Sequence, residues 1–67
     1  MNANELRAEL ARNGLTVPQA AERIGIGKKA FYCKLDGTSE FKQGEIKALK
    51  QLLSLDDSRV SEIFFAD

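Results

Sequence analysis

The chain has no histidine, one cysteine (Cys33), and no apolar run long enough to cross a bilayer. It also has no glycine-rich phosphate loop and no cluster of residues at metal-ligand spacing, so catalysis near neutral pH has no evident carrier. The expectation is a non-enzymatic protein with no cofactor, no metal, no small-molecule substrate and no membrane association. A lone cysteine has no intramolecular partner, so folding gains nothing from a disulfide. The opening segment MNANELRAEL lacks the basic-then-apolar layout of a secretion signal, which points to the cytoplasm. Excess charge is missing too: ten basic and ten acidic residues give a net charge of zero.

What is present is a charge gradient. Residues 1–22 carry −1, residues 23–50 carry +4 and residues 51–67 carry −3. The central excess comes from Arg23, Lys28, Lys29, Lys34, Lys42, Lys47 and Lys50, set against Asp36, Glu40 and Glu45. A neutral domain polarised in this way can still present one cationic face. Sixty-seven residues make one domain, 1–67, near the lower size limit for a fold without staples. Such a chain buries only about 60% of its unfolded surface, so helix caps and a tight core have to supply its stability.

Punctuation along the chain marks five short helices and no strand. Asn2 caps the first, with Glu5 as capping-box partner and Leu6 and Leu10 on one face; Asn13-Gly14-Leu15 ends it. Thr16 caps the second, with Pro18 in its first turn and Gln19 closing a Thr-x-x-Gln box. Ala20, Ala21 and Ile24 form its apolar face, Gly25 stops it, and Ile26 plugs the turn. The third spans 27–36, with Phe31 and Leu35 inward and Lys28, Lys29, Tyr32, Cys33 and Asp36 on the opposite side at about 100° per residue. Gly37 stops that helix. The fourth spans about Gln43 to Leu53 with Ile46, Leu49 and Leu53 inward, and Phe41 just ahead of it pins the loop. Asp56 caps the last, which turns Val60, Ile63 and Phe64 to the core.

The segment from 16 to 37, TVPQAAERIGIGKKAFYCKLDG, joins two helices through Gly25-Ile26-Gly27. Helices joined so closely cannot lie antiparallel; the second must cross the first, as in a helix-turn-helix. Thr16, Ala21, Gly25, Ile26, Phe31 and Gly37 stand where such a motif needs a cap, a small buried residue, a turn glycine, two apolar plugs and a closing glycine. On these residues the chain resembles the lambda-repressor-like family of DNA-binding domains, and in particular the small Cro-type regulators of phages and prophages. The stretch FYCKLDGTSEF is similar to phage regulators of Gram-positive bacteria. Three positions depart from the family pattern. Val17 stands where a phosphate-clamping glutamine is common, Lys34 where an apolar residue is usual, and Gly27 where a polar DNA-touching side chain is frequent. The lysine at 34, with the apolar position moved to Leu35, implies a recognition helix rotated slightly from the usual setting.

The resemblance implies a sequence-specific, double-stranded DNA-binding transcriptional regulator, a repressor with helix 27–36 in the major groove. Lys28, Lys29, Tyr32 and Cys33 become the base-edge candidates, the lysines as donors to guanine O6 and N7. Phosphate contacts are expected at two helix starts: Thr16, Val17 and Gln19, where backbone N–H groups remain free, and Thr38, Ser39, Lys42 and Gln43. Phe64 and Phe65 cannot both face one core, which suggests a weak homodimer through the last helix on a pseudo-palindromic operator. The neutral net charge and Val17 also fit a protein-interaction module on the same scaffold; the lysine pair speaks against it.

Overall fold

The computed structural model describes residues 1–65. Five helices follow one another: α1 (Ala3–Arg12), α2 (Val17–Ile24), α3 (Lys28–Asp36), α4 (Gln43–Leu52) and α5 (Asp57–Phe64). No strand occurs among the described residues, so the architecture is an all-α bundle. Three of the starts follow from a side-chain cap. Asn2 accepts the Glu5 N–H, Asp56 accepts the Arg59 N–H, and Thr16 and Gln19 exchange hydrogen bonds in a complete capping box.

The box expected at Asn2 is only half formed. The Glu5 carboxylate turns to Arg59, and the Asn2 N–H donates instead to the Ile63 carbonyl at 2.6 Å. Arg59 also reaches Glu9 at 3.3 Å and Glu62 at 3.0 Å, and Arg12 pairs with Glu9 from the other side. Hydrogen bonds to Glu5 first, then Glu62, push the Arg59 guanidinium above its usual range. Together these contacts clasp α1 to α5, the two helices farthest apart in the chain.

The rest of the packing centres on α2, which lies against both α3 and α4, while α4 also meets α5. Leu6, Phe31, Leu49 and Ile63, one from each of four helices, are fully enclosed. Small Ala20 and Ala21 on α2, both buried, let the neighbouring helices approach closely. Phe41, between α3 and α4, packs edge-to-face on Phe31 at 5.3 Å and on Phe64 at 5.7 Å. That row of rings ties the loop 37–42 to α3 and α5, in keeping with the pinning role its sequence position implies. Ile24, Ile26 and Ile46 are only partly buried at its margins.

Between α2 and α3 the chain turns through Gly25 at φ 83°, the left-handed region that side chains disfavour. The Gly25 N–H donates to the Glu22 carbonyl and the Ile26 N–H to that of Ala21, closing the helix end within three residues of the next helix. One position without a glycine does the same work. Ser54, after α4, has φ 55°. Ser54→Gly is therefore expected to stabilise the domain by about 0.5–1 kcal/mol, the left-handed penalty relieved less the extra chain entropy of glycine. A thermal melt should rise by a few degrees, and a drop would contradict this account.

Candidate nucleic-acid interface

Lys28 and Lys29 occupy the first turn of α3, immediately after Gly27 as N-cap. Both are exposed, and neither joins an ion pair among the described residues. The inward side of α3 holds Phe31, Lys34 and Leu35, so Tyr32 and half-buried Cys33 fall on the same outward side as Lys29. Tyr32 is 45% exposed, far more than a ring covering the core would be. Nine residues at 1.5 Å each make α3 about 13 Å long, and a helix about 10–12 Å across fits a groove about 12 Å wide. Lys29, Tyr32 and Cys33 therefore share one side of α3, with Lys28 exposed at its edge in the first turn.

That face is not uniformly cationic. Asp36, the last residue of α3, is exposed near the same side. It accepts both the hydroxyl (2.6 Å) and the N–H (2.9 Å) of Thr38. The hydroxyl first and the amide second hold its carboxyl below the usual range, so it stays ionised. A fixed negative charge at the far end of α3 confines the attractive part of the face to the Lys28–Lys29 end.

The flanking helix starts offer less than the sequence suggests. At α2 the Thr16 N–H donates to the Gln19 side chain, the Gln19 N–H to the Thr16 hydroxyl, and Pro18 has no N–H. Of the first turn's donors only the Val17 N–H is left for an anion, which corrects the expectation of a free cluster there. The Thr16 hydroxyl keeps its proton, and the Gln19 amide keeps its NH₂ group, for use outward. At the second site Thr38 directs both its donors to Asp36, with its N–H shared with the Cys33 carbonyl. That removes Thr38 as a donor to phosphate. Ser39, Lys42 and Gln43 remain exposed. The Lys42 ammonium is unpaired among the described residues, although its N–H already donates to Glu45 at 2.8 Å.

The sequence reading missed the Lys34–Glu45 pair. Lys34 is only 9% exposed. Its Nζ lies 3.3 Å from a Glu45 oxygen, donates to the Glu40 carbonyl at 3.1 Å, and sits 5.9 Å from the centre of the Phe41 ring. Position 34 thus stays inward rather than turning out and rotating the helix. The long stem is buried against apolar surface, and the ammonium finds a carboxylate, a carbonyl and a ring face. Burial alone would raise the Glu45 carboxyl, but hydrogen bonds from Lys42 and Lys34 and their charges bring it below the ordinary range. Two signals pointed here: Lys34 is three residues from Phe31 on the helical wheel, and Glu45 is the third helical residue after Lys42, where a carboxylate returns to the cap.

The aromatic pair at the end of α5 divides. Phe64 is 8% exposed and belongs to its own core, which withdraws it as an intersubunit contact. Phe65 is 65% exposed. It borders an open groove of about 530 Å³ whose walls include Met1, Leu35, Phe41 and Phe64.

No described helix is long and apolar enough to cross a membrane, and no group of three potential metal ligands occurs among the described residues. No family model, curated protein or solved structure matches the chain.

Proposed function

We propose that the protein is a sequence-specific, double-stranded DNA-binding transcriptional regulator of the Cro-like, lambda-repressor-like kind, acting as a prophage repressor in the bacterial cytoplasm. The α2–α3 pair serves as a helix-turn-helix and α3 as the recognition helix, with no catalytic role. The observation that carries this reading is the exposed pair Lys28 and Lys29 at the start of α3, in no ion pair among the described residues, beside Tyr32 and half-buried Cys33. Two lysines at the leading end of a helix of groove-matching width serve as donors to guanine O6 and N7 in this reading, and Tyr32 meets a thymine methyl or a phosphate. Ser39, Lys42 and Gln43 on one side, and Thr16, Val17 and Gln19 on the other, serve the backbone. Exposed Phe65 supports a weak dimer on a pseudo-palindromic site.

Selection of bound sequences from a random duplex pool tests binding, preference and half-site symmetry together. Expected is a recovered motif with two related halves, and an affinity that falls linearly in log–log form as salt rises. Lys42→Ala should weaken binding to related and unrelated duplexes alike and make the salt slope shallower by about 1.

A second reading, a protein-interaction module, draws on the occupied N–H groups at the start of α2 and on the zero net charge. It predicts no retention of any duplex even at low salt, and that result would replace the first reading.

A further inference from the structure

Two regions of the proposed interface belong to different segments: the start of α3, and the loop 37–42 leading into α4. Phosphate contacts add affinity on any duplex, so holding the loop where it can make them strengthens binding whatever the sequence. The ring row through Phe41 fixes the middle of the loop, but rings packed edge-to-face leave room for sliding. Lys34 supplies directed bonds. One atom, its Nζ, holds the Glu40 carbonyl at 3.1 Å and Glu45 at 3.3 Å, and the same Glu45 oxygen accepts the Lys42 N–H at 2.8 Å. We infer that Lys34 is a positioning residue of the DNA interface, tying the Ser39–Gln43 segment to the inward face of α3 through the Glu40 carbonyl and Glu45. This rests on the DNA-binding reading above. A shielded ion pair is a poor source of net stability, because desolvation offsets most of its attraction. Its three-way geometry instead suits it to fixing a loop.

The test compares Lys34→Met, which keeps the buried stem and deletes the ammonium, with Lys34→Arg, which keeps the charge. Binding is measured against a duplex selected from the random pool and against an unrelated duplex, across a salt series. Amide exchange of the free protein is followed in parallel. Lys34→Met is expected to lose about 5–10-fold in affinity for both duplexes. Its salt slope should be shallower by about 0.9 for each phosphate no longer neutralised, with the ratio between the two duplexes unchanged. Exchange should accelerate across 39–43 and not in α3, and Lys34→Arg should recover most of the affinity. If Lys34→Met does not fold, Lys34→Met/Glu45→Gln leaves no unmatched charge, keeps an acceptor for the Lys42 N–H, and carries the same expectations. Wild-type affinity and slope in the folded methionine variant would overturn the inference while leaving the DNA reading intact. So would a loss confined to the selected duplex. Failure of the wild-type chain to retain any duplex would overturn both.

Discussion

Replacing Lys28 and Lys29 together with alanine is expected to remove much of the preference for the selected duplex while leaving the helical fold unchanged. Each good base-edge contact discriminates by about 1–3 kcal/mol, so the pair accounts for roughly 2–6 kcal/mol of preference, or about 30-fold upward. The fold should tolerate the change because both side chains are exposed, neither is ion-paired among the described residues, and alanine is the better helix former. Competition between the selected and an unrelated duplex measures the effect, with circular dichroism as the check on folding. The contrast with Lys42→Ala is the informative part. Removing a phosphate contact lowers all affinities in step, whereas removing base readers brings the specific affinity down toward the unspecific one. A double variant that keeps its preference would move the reading site away from α3.

The second large effect concerns the core beneath that face. Phe31→Ala is expected to remove about 3–5 kcal/mol of stability, as truncating a fully enclosed ring does. For a domain of this size total stability is only about 3–10 kcal/mol, so much of the margin disappears. The midpoint of thermal unfolding should fall by at least about 12 °C, with part of the helical signal already lost at room temperature. Two packing partners share the damage, since Phe31 supports Phe41 at 5.3 Å and Phe41 in turn meets Phe64 at 5.7 Å. A melt within a few degrees of wild type would mean that the ring row is not what holds α3 in place.

How far these features were legible in the chain depended on the range of the interaction. The starts of α1, α2 and α5 could be read because the cap lies within three residues of the group it satisfies, as with Asn2, Thr16 and Asp56. The glycine stops at 14, 25 and 37 were equally local. The occupied N–H groups at α2 were implied by Thr16, Pro18 and Gln19, since a complete capping box and a proline leave one donor in the first turn. By contrast, the place of Lys34 depends on Glu45 across the loop, and Arg59 depends on Glu5 fifty-four residues away. No window of adjacent residues holds both partners. Helical phase did give the direction of Lys34, and only the habit of turning lysine outward concealed it. The phase of the last helix turned Phe64 inward with Val60 and Ile63, where it meets the Phe41 ring, and left Phe65 to solvent.

The clasp of α1 on α5 has a bearing on synthesis. The Asn2 amide and Glu5 have partners on Ile63 and Arg59, so α1, made first, must wait for α5 before it can dock. A nascent chain whose α5 is still inside the ribosome lacks that seat, and its Leu6 and Leu10 remain without part of their cover. Folding is then expected to be postponed until α5 emerges and to proceed in one cooperative step.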